Sequence, residues 1–188
     1  MPNAKTLIAG FRKHWGKPAR YADPSERDLE RAPEALRSVI AKDGWASYRD
    51  GTLWTCPPAE WNAAPWLEPG PGEAATWLRT GFGDLIAWDG EMFWQVLVHH
   101  GARMRLTDSD AWLIGHSLVQ PDAYVNDDLP KLMERGREKG SLSGSQIYTF
   151  VPALALGGSE EESEVEIAEG AVALDILRQA GSVETIGI

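Results

Sequence analysis

The chain has 188 residues, 43% of them hydrophobic, which is enough to bury the core of one domain or of two small lobes. Its 28 Asp and Glu against 18 Lys and Arg give a formal charge of −10. This balance argues against direct nucleic-acid binding, because phosphate contacts require clustered basic residues. Cys56 is the only cysteine, which excludes an intrachain disulfide and a zinc site built from cysteines.

The N-terminal third predicts two helices. Residues 5–14 carry apolar side chains at helical spacing and are followed by the helix breakers Gly16 and Pro18. Residues 33–42 show the same spacing and precede Gly44, a typical residue at the C-terminus of a helix. The residues between the two helices predict only a polar link.

Residues 45–106 predict an antiparallel sheet. Asp50-Gly51 and Asp89-Gly90 are two-residue turn signals between runs of β-forming residues. These runs are residues 45–48, 53–56, 76–80, 84–88, 91–99 and 103–106. Eight of the nine Trp residues lie in the first 100 residues, and we expect most of them in the core because each ring buries a large area. An exposed platform that stacks on a sugar or a base stays open as an alternative.

The C-terminal part predicts mostly helical structure. Helical spacing is found around Trp112 and over residues 128–139 and 171–180. The apolar run 150–156 predicts a buried strand that ends at Gly157, with Leu154 and Leu156 on the buried face. Residues 159–164 predict a mobile acidic loop.

These elements predict an α+β fold with two lobes. Residues 1–106 would form an antiparallel, Trp-rich sheet with packed helices. Residues 107–188 would form a smaller, mostly helical lobe that shares the same core.

No group of residues predicts catalysis, a metal site or a cofactor. Of the four histidines, His99 and His100 are adjacent in a strand-like run, so they point to opposite faces and cannot together hold one metal ion. Cys56 lies at the end of a predicted strand, which favours a small core residue over a nucleophile. Ser141 to Ser145 lack the Gly-x-Ser-x-Gly pattern of a serine nucleophile.

No apolar run approaches the ~20 residues that a membrane-spanning helix requires. The segment from Met1 to Thr6 lacks the apolar region of a secretory leader. We therefore predict a cytoplasmic protein that has no contact with membranes.

The segment Tyr148–Gly158, which ends in Pro-Ala-Leu-Ala-Leu-Gly-Gly, resembles the C-terminal signature of the GAD-like proteins. Three shorter elements resemble the same family and precede the signature in the expected order. They are Trp15-Gly16 with Pro18, the Trp45–Trp54 hairpin and Gly81–Asp84. Many GAD-like proteins are immunity proteins against toxins of the type VI secretion system.

The resemblance implies a non-enzymatic inhibitor that binds a cognate toxin, and the acidity of the chain fits a basic, nuclease-type toxin. Two other functions stay open. One is a regulatory or scaffolding protein-interaction module of the SMI1/KNR4-like kind, and the other is an enzyme of unrecognised type.

We predict partner contacts at carboxylates that regular structure holds in place. These are Asp84, Asp89, Glu91, Asp108 and Asp110. They are preferred to the denser charge of Glu160–Glu162, because a mobile loop loses conformational entropy on binding.

Overall fold

A computed structural model describes residues 4–67, 74–118 and 129–186. It confirms the predicted α+β class, with a large sheet between helices. The strands are β1 (Ala19–Ala22), β2 (Trp45–Tyr48), β3 (Leu53–Thr55), β4 (Ala75–Thr80), β5 (Leu85–Trp88), β6 (Phe93–Leu97), β7 (Ala102–Thr107), β8 (Gln146–Val151), β9 (Glu164–Glu169) and β10 (Glu184–Thr185).

The helices are α1 (Ala4–Trp15), α2 (Glu26–Arg31), α3 (Glu34–Asp43), α4 (Ala64–Leu67), α5 (Asp110–Trp112), α6 (Leu129–Lys139) and α7 (Gly170–Ala180). A π-helical turn covers Leu113–Ser117 and a 3₁₀ turn covers Leu154–Leu156. In the part of the chain that the structure describes, no helix is long and apolar enough to cross a bilayer.

The main sheet has the strand order β1-β2-β3-β4-β5-β6-β7-β10. Neighbouring strands are antiparallel, except that β10 pairs with β7 in parallel. β8 and β9 form a separate antiparallel hairpin, which adds strands to the otherwise mostly helical C-terminal part. The division into a lobe of residues 1–106 and a smaller lobe of residues 107–188 that shares its core stays a prediction.

Both faces of the main sheet are buried at its central strands, whereas β1 and β10 at its edges are mostly exposed. Ile86 faces a cluster with Phe11 and Leu36 of α1 and α3, whereas Leu85 and its neighbours face a second cluster with Leu174 of α7. Because side chains alternate along a strand, burial on both sides requires continuous apolar strands. Six of the nine Trp residues are buried, which confirms that most lie in the core: they are Trp15, Trp45, Trp54, Trp61, Trp66 and Trp77.

A buried arginine joins three segments of the core. The guanidinium of Arg79 lies between the rings of Trp54 and Trp61, at 4.3 and 4.2 Å from their centroids. Arg79 also donates hydrogen bonds to the carbonyls of Thr80 (3.2 Å) and Gly144 (2.9 Å). Its side chain therefore connects β3 and β4 to the segment at residue 61 and to the loop that precedes β8.

The prediction of a buried strand over residues 150–156 is wrong. β8 ends at Val151, and the backbone then forms the 3₁₀ turn, where Leu156 is 63% exposed. Pro152 has no N–H to continue a strand ladder, and the N–H groups of Leu156 and Gly158 bond back to the Ala153 carbonyl. Phe150 remains in the core, as predicted.

Two further predictions need correction. Both Asp-Gly turns are longer than two residues, because Tyr48 pairs with Leu53 and Trp88 pairs with Phe93, which leaves four residues in each loop. The polar link after α1 contains β1 and α2.

Replacement of Leu156 by Ala should change the free energy of unfolding by less than about 0.5 kcal/mol, because the side chain is already in solvent. Leu174→Ala is the matched control, since Leu174 is buried, and it should cost about 2–5 kcal/mol. Denaturant unfolding measures both values. If Leu156→Ala lowers the free energy of unfolding as much as Leu174→Ala does, Leu156 is buried and the predicted strand is correct.

Arg79→Lys should destabilise the fold by about 2–4 kcal/mol, because an ammonium group cannot cover two rings and bond two carbonyls at once. Arg105→Lys is the control: Arg105 lies over one ring, that of Trp94, at 5.3 Å and is exposed. We expect less than about 0.5 kcal/mol there. Equal losses for the two variants in thermal and urea melts would contradict a structural role for the Trp–Arg–Trp stack.

Candidate partner-binding surface

The predicted acidic residues lie at two opposite ends of the main sheet. Phe93 of β6 pairs with Thr107 of β7, so the turn before β6 and the residue after β7 leave the sheet at the same end. This arrangement brings Asp89, Glu91 and Asp108 to one end. Asp84 precedes β5 and lies at the other end.

Asp84 is not on the surface, which contradicts its prediction as a partner contact. The residue is 9% exposed, and its carboxylate accepts hydrogen bonds from the Val98 N–H (3.1 Å) and the Thr80 hydroxyl (3.4 Å). Burial raises the pKa of Asp84 to about 7, although these two hydrogen bonds oppose the rise. Its role is therefore to join the two turns at this end of the sheet.

Asp89 and Asp110 both accept hydrogen bonds that fix the structure, within one turn for Asp89 and between α5 and α3 for Asp110. Asp89 accepts hydrogen bonds from the backbone N–H groups of Glu91 (2.8 Å) and Met92 (2.7 Å) and from Nε1 of Trp94 (2.6 Å). Partial burial alone would raise the pKa of Asp89, but these hydrogen bonds outweigh it and the pKa is lowered. Asp110 accepts a hydrogen bond from the Ala35 N–H (2.6 Å) in the first turn of α3.

The sheet end that carries Asp89 forms a concave surface of about 430 Å³. Met92 and Trp94 supply its apolar part, and the Arg105 guanidinium covers the Trp94 ring. Glu91 and Asp108 are both exposed at this end. We call this the hairpin-end surface, and its residues are Asp89, Glu91, Met92, Trp94, Arg105 and Asp108.

The acidic segment 159–164 is held by hydrogen bonds, contrary to the expected mobile loop. The Ser163 hydroxyl donates to the Pro152 carbonyl (3.0 Å) and accepts from the Ser159 N–H (3.0 Å). Arg135 of α6 donates to the Ser163 carbonyl (2.5 Å) and to the Glu160 carbonyl. The entropic argument for preferring the hairpin carboxylates over this segment therefore no longer holds.

The C-terminal carboxylates form a set that the sequence argument undervalued. Between Gly140 and Leu177 the chain has seven carboxylates and no Lys, Arg or His. They are Glu160, Glu161, Glu162, Glu164, Glu166, Glu169 and Asp175. A count of basic residues over the same window would have found this asymmetry.

Two of the possible catalytic side chains are buried. Nε2 of His99 donates to the Phe82 carbonyl (2.9 Å), and burial lowers the pKa of His99 to about 4. Cys56 is buried, and this raises the pKa of its thiol to about 12. Among residues 4–67, 74–118 and 129–186, no group of three or more His, Cys, Asp or Glu side chains could hold a metal ion.

These features define a small acidic α+β domain. A model of the GAD-like domain family matches residues 7–100, half of the chain, and the chain therefore belongs to this family. Among solved structures, it is similar to Atu4351 from Agrobacterium tumefaciens, with 18% identity and a TM-score of 0.73 over 95% of this chain and 91% of that one. At this identity the likeness shows the fold alone. No curated protein matches the sequence significantly.

Asp84→Asn should stabilise the protein by an amount that grows with pH. The pKa of Asp84 is raised from 3.8 to about 7 in the folded protein. Above about pH 4 the unfolded chain therefore loses the Asp84 proton, whereas the folded chain keeps it. Asp84 therefore lowers stability progressively between these values, by up to about 1.4 kcal/mol per pH unit. The neutral amide lacks this penalty.

Urea unfolding of both proteins from pH 4 to pH 8 gives the measurement, and exposed Asp108→Asn is the control. The advantage of Asp84→Asn should increase up to about pH 7 and then level off. An advantage that stays constant with pH would show that the buried carboxyl titrates at its ordinary pKa.

Proposed function

We propose that this chain is a cytoplasmic immunity protein that binds a secreted toxin, of the kind delivered by the type VI secretion system, and blocks it by forming a stoichiometric complex. Membership in the GAD-like family carries the proposal. Many proteins that the C-terminal signature resembles have this role.

The charge of the protein supports a basic partner. The chain has a formal charge of −10, and complementary fields accelerate the association of two proteins. A nuclease toxin binds phosphate groups and is therefore basic around its cleft. Carboxylates in fixed positions can occupy such a cleft in place of the phosphates of its substrate.

Inhibition requires a rigid surface and no catalytic group. Several carboxylates of this chain are held in place by their own hydrogen bonds or by those of their backbone, which lowers the entropy lost on binding. The ring of His99 and the thiol of Cys56 are buried, which favours structural roles for both. We therefore propose that neutralisation proceeds by binding rather than by modification of the toxin.

Titration of toxin activity with the purified chain tests the proposal. A secreted-toxin gene beside this one would supply the probe, and the absence of such a gene would favour the regulatory or scaffolding module. The toxin is assayed for its own reaction at a concentration well above the dissociation constant. Inhibition should be complete at one equivalent of the chain, and size-exclusion chromatography with light scattering should detect the complex. The association rate should fall as ionic strength rises.

His100→Gln and His116→Gln serve as controls for catalysis and should inhibit as well as the wild type. Complete inactivation at a small fraction of one equivalent would indicate an enzyme. A chain that neither binds nor protects would refute the immunity role and favour the regulatory or scaffolding module.

A further inference from the structure

One exposed stripe of α7 is apolar. Val172 and Ile176 lie one turn apart, and 60% and 53% of their surfaces are accessible. Leu156 belongs to the 3₁₀ turn that packs against the same helix, where Ala155 approaches Gly181. We call Val172, Ile176 and Leu156 the α7 face.

Large exposed apolar side chains are concentrated in this part of the molecule. Of the six such residues among those described, four lie between residues 151 and 176: Val151, Leu156, Val172 and Ile176. The same stretch falls within the window of seven carboxylates and no basic residue. Arg178 is the first basic residue after this window, so the charges around α7 are mostly but not entirely acidic. Apolar anchors beside mostly acidic charges suit a basic partner, because the apolar contacts supply affinity and the charges select the partner.

A groove runs beside the α7 face. It has a volume of about 150 Å³ and lies between α7 and the segment that contains Glu60 and Trp66. Two carboxylates and one guanidinium line it, those of Glu60, Asp175 and Arg178, together with the apolar side chains of Trp66 and Leu174. Since successive helical residues are separated by about 100°, Asp175 lies between the groove and the stripe of Val172 and Ile176.

We infer that the α7 face is the docking site for the basic toxin, with Val172 and Ile176 as apolar anchors and Asp175, Glu169 and Glu60 as contacts for Lys or Arg. This inference rests on the proposed function. Charge selects the occupant. A second copy of the chain would bring two acidic surfaces together, and nucleic acids and anionic lipid surfaces would be repelled.

The test compares two pairs of substitutions in binding to a catalytically inactive form of the same toxin that tests the proposed function. Val172→Gln with Ile176→Gln removes the anchors and keeps good helix formers at exposed positions, so the fold should be retained. We expect the dissociation constant to rise at least tenfold, mainly through faster dissociation. Glu91→Gln with Asp108→Asn alters the hairpin-end surface instead, and this pair should change the dissociation constant less than threefold.

A charge variant gives a second measurement that does not depend on the anchors. Asp175→Asn with Glu169→Gln should slow association severalfold and make the rate less sensitive to salt. Far-ultraviolet circular dichroism and thermal melts establish that each variant is folded.

The outcomes separate the two proposals. If the wild-type chain does not bind the toxin, the proposed function fails and this inference fails with it. If the wild type binds and both α7 variants bind equally well, only this inference is overturned, and a loss confined to Glu91 and Asp108 would assign docking to the hairpin-end surface. A dimer that the Val172 and Ile176 substitutions dissociate, with toxin binding intact, would overturn it in favour of self-association.

Discussion

The placement of Arg79 between Trp54 and Trp61 is the interaction that connects the main sheet to the segment at residue 61 and to the loop that precedes β8. Transfer of a guanidinium group into a protein core costs several kcal/mol unless its charge and donors are compensated. Among the described residues, Arg79 forms no ion pair and its buried Nε has no hydrogen-bond partner, so two aromatic faces and two backbone carbonyls offset only part of this cost. Burial lowers the pKa of Arg79 to about 10, which still leaves it charged at neutral pH.

That arrangement requires the segment at residue 61 and the loop at residue 144 to close over the sheet. Gly170 and Gly144 permit this closure, because a Cβ at either position would collide with the ring of Trp61 or of Tyr21. α1 and α3 cover one face of the sheet and α7 covers the other, so most side chains on both faces are apolar. The carboxylates are therefore displaced to the sheet ends and to the outer layer, where a partner can reach those that are exposed.

Much of the fold could be predicted because strong local signals agree with the tertiary structure. α1 and α3 end at Gly16 and Gly44, whose backbones are left-handed, and the glycines there mark the helix ends in the sequence. β1 could not be predicted in this way, since Ala19–Ala22 becomes a strand only by pairing with β2. α2 does have a local signal in the sequence, the capping box of Ser25 and Asp28.

The predicted partner contacts show the same contrast: local sequence signals predict the position of a residue in a turn, but not its burial by distant residues. The turn position of Asp89 follows from the Asp-Gly pair, whereas the burial of Asp84 depends on packing by distant residues such as Leu132 and Phe150. No periodicity in the sequence reports those contacts. Pro152 is a local signal against a strand that reaches Leu156, because proline cannot donate to a strand ladder. The apolar run favours a strand over the same residues, and this conflict makes the prediction fail there.

Preorganisation and binding capacity oppose each other at these carboxylates. A carboxylate can accept about four hydrogen bonds, and Asp89 already accepts three, so its position is fixed but little of its capacity is left for a partner. Glu91 and Asp108 are exposed, so their carboxylates can accept more hydrogen bonds from a partner but are held less firmly in place. Asp175 combines the two properties, because a rigid helix carries it and Gln179 donates a single hydrogen bond to it. A carboxylate of this kind beside apolar anchors can meet a basic group with little loss of entropy, which favours the α7 face over the hairpin end.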